Sequence, residues 1–130
     1  MKRVFSTILA VSLFASCYSP KRNCKDFKTG TFEFETYLNG KMVKTTFTRN
    51  DTLEVDYFQG EADSSSVRWI NDCEYILTAL HPKNKAEEKP LHIKILTTDK
   101  NSYTFEFSVV GNEANKQQGT VFKVSNSTKK

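Results

Sequence analysis

Few residues of this 130-residue chain have the types and spacing that catalysis requires. His81 and His92 lie in no catalytic motif, because the sequence has no Gly-x-Ser-x-Gly, no His-Glu-x-x-His and no glycine-rich phosphate loop. Asp72 and Glu74 flank Cys73, and two carboxylates so placed could divide acid and base catalysis between them. An aspartate in a polar turn needs no such role, and a histidine on an outer face is commonly solvated. We therefore expect no catalytic residues and a protein that is not an enzyme.

Metal and cofactor binding are not indicated either. The two histidines and the cysteines Cys24 and Cys73 are scattered along the chain, whereas a structural metal site needs three or four ligands at close spacing. We predict no metal ion and no cofactor.

The first 17 residues have the pattern of a bacterial export signal. Two basic residues precede an uncharged segment, residues 4–15, which would span only about 18 Å as a helix and is too short to cross a bilayer. The ending Phe14-Ala15-Ser16-Cys17 resembles the lipobox of bacterial lipoproteins. That resemblance implies removal of residues 1–16 and lipidation of Cys17. The alternative is ordinary secretion with Cys17 as an unmodified thiol.

Lipidation of Cys17 would leave an even pair, Cys24 and Cys73, in an oxidising compartment. We predict a disulfide between them, closing a loop that would stabilise the fold by roughly 4 kcal/mol. Two free buried thiols are the alternative.

The net charge gives no sign of a nucleic-acid partner. It is +4 for the whole chain and falls to +2 once the signal, with Lys2 and Arg3, is removed. The remaining basic residues are spread evenly, whereas nucleic-acid-binding proteins concentrate them on one face.

The elements that position these residues are predicted to be β-strands. Residues 67–80 indicate two strands around a polar turn, in a register that pairs Trp69 with Tyr75. Asn39-Gly40 is typical of a two-residue hairpin turn and would pair Phe32 with Phe47.

Two further hairpins follow the same logic. A turn at residues 99–101 would pair Ile95 with Phe105. A three-residue loop after Arg49 would place Phe47 opposite Val55. The polar residues 60–66 and 111–119 are predicted to be loops.

The hairpins together predict an all-β fold: an antiparallel meander of about eight strands over residues 27–124. It would close as a small up-and-down barrel or remain a strongly curved sheet. Residues 17–26 are predicted to be a tether after the lipidated cysteine, and residues 125–130 a disordered tail.

The inward face of this meander is predicted to be aromatic, with Trp69 at its centre. These side chains either fill the barrel or line a pocket for a small apolar ligand. The residues are Phe32, Phe34, Phe47, Tyr57, Trp69, Tyr75, Phe105 and Phe107.

Four segments, residues 23–30, 67–77, 81–84 and 94–98, are similar to a family of small envelope lipoproteins from flavobacteria and related Bacteroidota. The resemblance covers nearly the whole mature chain, but the family has no established activity. Its members often carry the name DNA topoisomerase IV. Topoisomerase chemistry needs a nucleotide-binding domain, an acidic metal site and a DNA-cleaving tyrosine on a large domain, and a short meander behind a lipoprotein signal has room for none of them. In outline the family is also similar to lipocalin-like envelope proteins, an analogy of fold alone.

The resemblance implies an outer-membrane lipoprotein. Surface-exposed lipoproteins of flavobacteria often carry acidic residues directly after the lipidated cysteine, and residues 18–22 contain none. We therefore expect the protein to face the periplasm, anchored to the membrane by its lipid. Its partner would be another envelope protein or a small apolar ligand, and its role binding or structural. A hydrolase or isomerase that uses scattered carboxylates is the alternative.

Overall fold

The computed structural model describes residues 21–125, and each strand in it is hydrogen-bonded to the next in antiparallel order. The last strand pairs with the first, which closes the sheet into a barrel and confirms the all-β prediction. The signal segment, Cys17 and residues 126–130 lie outside the described residues. The strands are β1 (Gly30–Leu38), β2 (Lys41–Arg49), β3 (Leu53–Phe58), β4 (Glu61–Asn71), β5 (Glu74–Ala79), β6 (Leu91–Thr98), β7 (Ser102–Val109) and β8 (Asn112–Ser125).

Three predicted registers are confirmed. Phe32 pairs with Phe47 across a turn in which Asn39 and Gly40 both have positive φ, of 51° and 77°. Trp69 pairs with Tyr75, although a bulge after Trp69 shortens the loop by one residue. Ile95 pairs with Phe105, and a second bulge follows it in β6.

The predicted β2–β3 register is wrong by one residue. Phe47 lies opposite Asp56 rather than Val55, because the connection from Arg49 to Glu54 holds four residues. The Asn50 side chain accepts hydrogen bonds from the backbone N–H groups of Thr52 and Leu53, at 3.0 and 2.9 Å, and fixes this longer turn. A slip of one residue exchanges the two faces of a strand.

Because of this slip, the prediction that Tyr57 faces inward is wrong. Its side chain is 49% exposed on the outside of the barrel, and the inward positions of β3 belong to Glu54 and Asp56. The physical reason is electrostatic: Arg49 points into the interior, and a buried guanidinium requires a carboxylate beside it.

Two polar segments predicted to be loops are strands. Residues 61–66 belong to β4, and residues 112–119 belong to β8. Strand pairing satisfies the backbone whatever the side chains are, and a barrel leaves no edge where pairing could stop. Gly119 lies directly under the Phe105 ring, where a Cβ atom would come within 3.0 Å of that ring.

One end of the barrel is covered by a short 3₁₀ turn, Cys24–Phe27, which we call the cap. Residues 24–26 are therefore not part of a tether. The predicted disulfide between Cys24 and Cys73 is confirmed and ties the cap to the β4–β5 turn. We call this the closed end, and the opposite end, at the β1–β2 and β3–β4 turns, the open end.

The larger of the two clusters of buried side chains lies beneath the cap and includes Cys24 and Phe27. Trp69 is only partly buried and packs between two clusters, so it joins the core without being its centre. The largest fully buried side chains are Tyr103, Phe27, Phe32, Ile95, Val121 and Cys24.

Arg49 lies at the centre of the closed end, with 3% of its surface exposed. One terminal nitrogen donates to Glu54 at 3.0 Å and to the Tyr75 hydroxyl at 2.6 Å. The other donates to the Phe27 carbonyl of the cap at 2.6 Å and to the Tyr103 hydroxyl at 3.2 Å. The guanidinium therefore joins the cap to three strands.

Aromatic rings surround the same charge. The Arg49 guanidinium carbon is 4.8 Å from the ring centroids of both Phe32 and Tyr75, and 5.8 Å from that of Trp69. Such contacts are strongest where water is excluded. Burial alone would lower the pKa of Arg49, but Tyr75, Tyr103 and Glu54 together raise it, so the side chain stays charged.

We predict that the charges of Arg49 and Glu54 are strongly coupled. Arg49→Met or Glu54→Leu alone should reduce the free energy of unfolding by about 3 to 5 kcal/mol, because each leaves an uncompensated buried group. The double variant should cost less than the sum of the two by about 2 kcal/mol or more. Urea unfolding of the four proteins measures this coupling, and additive costs would contradict it.

Candidate functional site

One cavity among the described residues opens at the end opposite the cap. Its volume is about 410 Å³, and it lies between β3, β4, β5, β6 and the β5–β6 loop, residues 80–90. Apolar and polar side chains alternate around it. The lining residues are Asp56, Asp63, Ser64, Ser65, Leu77, Ala79, His81, Asn84, Ala86, Glu87, Lys89 and Leu91.

The barrel is thus filled at one end and hollow at the other. Inward positions nearest the cap hold large aromatic and branched side chains, whereas those nearest the open end of β4 and β5 hold Asp63, Ser65 and Ala79. Small side chains on an inward face cannot fill the interior of an eight-stranded barrel. The two sequence alternatives, a filled core and a pocket, therefore occupy different halves of one barrel.

Asp56 is the titratable group at the base of this cavity. It pairs with Phe47 on one side and with Asp63 on the other, and it lies two residues after Glu54 on the same inward face of β3. Burial, together with the negative charges of Glu54 and Asp63, raises the pKa of Asp56 to about 7. At neutral pH this carboxyl group is therefore divided between its protonated and ionised forms.

The β5–β6 loop is held over the cavity by an ion-pair network. Lys83 Nζ lies 3.1 Å from a Glu61 oxygen and 3.6 Å from an Asp63 oxygen, which joins the loop to β4. The Glu87 carboxylate accepts a hydrogen bond of 2.6 Å from the Lys83 backbone. The hydrogen bond to Glu61 and the nearby Asp63 charge raise the pKa of Lys83.

The carboxylates predicted around Cys73 do not form one site. Asp72 binds two lysines of the cap region, Lys28 at 3.1 Å and Lys25 at 3.8 Å. Glu74 instead contacts His92 Nε2 at 3.2 Å, and a hydrogen bond from Asn71 is the main reason its pKa is lowered. Asp72 and Glu74 therefore each belong to a separate surface ion pair.

The predicted aromatic lining lies mostly below the cavity. Phe32, Phe47 and Tyr75 are buried, and Phe34, Trp69, Phe105 and Phe107 are partly buried against the two core clusters. None of the eight residues is among those that line the cavity.

Sequence reasoning missed the groups that do line the cavity. Asp56 was not predicted to face inward because the predicted register of β3 was wrong by one residue. Ser65 was not predicted to face inward because residues 60–66 were predicted to be a loop. His81, which lies in no catalytic motif, also contributes to the lining. Glu54, Asp56 and Phe58 alternate along β3 and so share a face. That face is predicted to point inward only if the β2–β3 loop is four residues long rather than three.

Within residues 21–125, no three His, Cys, Asp or Glu side chains are placed to hold a metal ion. Over the same residues, no helix is long and apolar enough to cross a membrane.

Comparison with protein-family models, curated proteins and solved structures finds no match for this chain.

We predict that Asp56 makes stability depend on pH. Because its folded pKa is raised from 3.8 to about 7, its contribution to stability is complete below pH 4 and is lost as the pH rises to 7. Asp56→Asn should therefore stabilise the protein at pH 8 by on the order of 3 kcal/mol and change it little at pH 4.

Thermal or urea unfolding at the two pH values measures this difference. Asp51→Asn is the matched control, since Asp51 is exposed in the β2–β3 turn and should show no such difference between the two pH values. An Asp56→Asn variant with no gain in stability at pH 8 would contradict the burial of this carboxylate.

Proposed function

We propose that this protein is a non-enzymatic binding module of the bacterial cell envelope, anchored by a lipid on Cys17, which takes a small ligand into the mouth of its barrel. The cavity of about 410 Å³ at the open end carries this proposal. Pockets for small molecules typically measure ~300 to 1,000 Å³, and barrel mouths are a recurrent location for them.

The position of the chain entry supports an anchored receptor. The Arg22 side chain donates to the Ile95 carbonyl at 2.8 Å, and the Asn23 backbone donates to the Thr98 hydroxyl at 2.8 Å, so the chain enters at the closed end. A lipid on Cys17 would therefore hold the filled end near the membrane. The cavity, at the other end, would be reached from the compartment that the protein faces, which for an outer-membrane lipoprotein facing inward is the periplasm.

The lining suggests the class of ligand. Leu77, Ala79 and Leu91 offer apolar surface, while Asp56 and Ser65 offer hydrogen-bonding groups at one side. A ligand with an apolar body and one or two polar groups suits this combination. Because Asp56 changes protonation near neutral pH, it can accept a hydrogen bond in one form and also donate one in the other.

One observation favours a second candidate, a hydrolase or isomerase. Asp56 and Asp63 are adjacent carboxylates in a cavity, and a carboxyl group with a pKa near neutrality suits general acid or base catalysis. In that case Asp56→Asn would abolish turnover of a bound substrate while leaving its binding intact. Under the binding proposal, the same variant changes affinity and its pH dependence only.

The test uses the apolar probe 1-N-phenylnaphthylamine, whose fluorescence rises on transfer from water to an apolar site. The full chain should bind it saturably at one site. Ala79→Trp, which places an indole in the cavity from β5, should weaken binding by about tenfold or more, because the indole takes space that the probe needs. Ala86→Trp should weaken binding in the same way from the β5–β6 loop, where the Ala86 side chain is exposed and is not part of the core.

Ile70→Trp is the matched control, since Ile70 is 53% exposed on the outer face near the closed end. It should leave probe binding unchanged. Equal binding by wild type and both cavity variants would show that the cavity takes no apolar ligand, and the proposal would fail.

A further inference from the structure

A second concave surface lies at the closed end, beside the point where the chain enters. This groove has a volume of about 430 Å³ and runs between the cap, the β6–β7 turn and the end of β8. We call it the basic groove, because three lysines surround it. Its lining residues are Lys25, Asp26, Phe27, Thr29, Lys100, Asn101 and Lys123.

The lysines differ in how firmly they are held. Lys123 Nζ donates to the Asp26 carbonyl and lies 5.9 Å from the centroids of the Phe27 and Phe32 rings, so it is fixed at the floor. Lys25 is 75% exposed, and Lys100 is exposed on the β6–β7 turn. Two exposed ammonium groups thus accompany one that is held in place.

Exposed apolar side chains border the groove. Phe122 and Val124 are 54% and 53% exposed on the outer face of β8, on either side of Lys123. Phe122 also pairs with Ser102, which places it next to the β6–β7 turn that carries Lys100. Aromatic and aliphatic side chains beside lysines are typical of surfaces that meet the interfacial region of a bilayer.

The length of the chain brings this surface close to the proposed anchor. Lys21 is four residues after Cys17, so these α-carbons are at most about 14 Å apart. The Arg22 and Asn23 hydrogen bonds then fix the chain against β6, next to the groove. With a lipid on Cys17, the closed end would therefore stay close to the membrane surface.

From these observations we infer that the basic groove, with Phe122 and Val124, docks on the anionic phospholipid surface of the membrane that carries the anchor. The occupant of the groove is a phospholipid phosphate group. This inference rests on the lipid anchor of the proposed function, and it adds a fixed orientation in which the cavity points away from the bilayer.

The charge balance indicates that the contact is weak by itself. Asp26 and Asp99 accompany the lysines, and Asp72 offsets Lys25 and Lys28 on the far side of the cap. A short tether raises the effective concentration of the surface at the membrane into the millimolar range, so a weak contact suffices to orient the protein. Screening by salt should weaken this orientation.

The test places the lipidated full-length mature protein in nanodiscs that contain a gadolinium-chelating lipid and measures amide relaxation by NMR. With phosphatidylglycerol present, the enhancement at Lys100 and Asn101 should exceed that at Asn84 and Asn112 by about threefold or more, because basic residues are attracted to an anionic surface. In phosphatidylcholine alone, the difference should shrink.

Lys25→Glu combined with Lys100→Glu should remove most of the difference in relaxation enhancement between the closed end and the open end. Lys41→Glu combined with Lys85→Glu is the matched control, with the same charge change at the open end, and should preserve it. Phe122→Ser should reduce it without any change in net charge. Equal enhancement at both ends in wild type, or no response to the charge reversal at the groove, would overturn the docking inference.

The anchor is checked separately by the intact mass of the protein extracted from membranes. A mass without lipid on Cys17 would overturn the anchor itself. A lipidated protein that shows no orientation overturns the docking inference and leaves the proposed function standing. Probe binding in the cavity is independent of both outcomes.

Discussion

The buried charge of Arg49 is the constraint on which the rest of this barrel depends. A guanidinium inside a small barrel is tolerated only with a carboxylate and further acceptors around it. Glu54, two tyrosine hydroxyls and the Phe27 carbonyl supply them, and burial raises the pKa of Glu54 while the attraction of Arg49 opposes that rise. The register of β3, the position of the cap and the packing of the aromatic rings all meet this requirement.

The same constraint explains the difference between the two ends. Turning Glu54 inward also turns Asp56 inward, because alternate residues of a strand share a face. The network and the disulfide fill and tie the closed end. Asp56, with Asp63 opposite it on β4 and Ser65 opposite Glu54, leaves the open end polar and hollow. A filled, tied end beneath an open polar cavity is an arrangement suited to binding, since binding regions are drawn from the less stable parts of a fold.

Sequence reasoning recovered what local patterns determine. The Asn39-Gly40 turn, the Trp69–Tyr75 register and the Cys24–Cys73 bond each follow from turn chemistry, alternation or cysteine pairing, and each was found. The position of Arg49 was missed, because a charged residue at a strand end usually faces water. Only the closure of the barrel brings Glu54, Tyr75 and Tyr103 around it. The lining of the cavity was missed for the same reason, since small and polar residues on β4 reveal their inward direction only when the strands on both sides are in place.

Native-state hydrogen exchange tests most directly the claim that the Arg49 network makes the closed end the stable part of the barrel. Amides around the network, such as those of Phe32, Arg49 and Tyr103, should exchange only through global unfolding, with free energies that follow the denaturant dependence of the whole protein. Amides at the open end, such as those of Ala62 and Ala79, should exchange through local openings of lower free energy. Equal protection at both ends, or greater protection at the open end, would contradict the account.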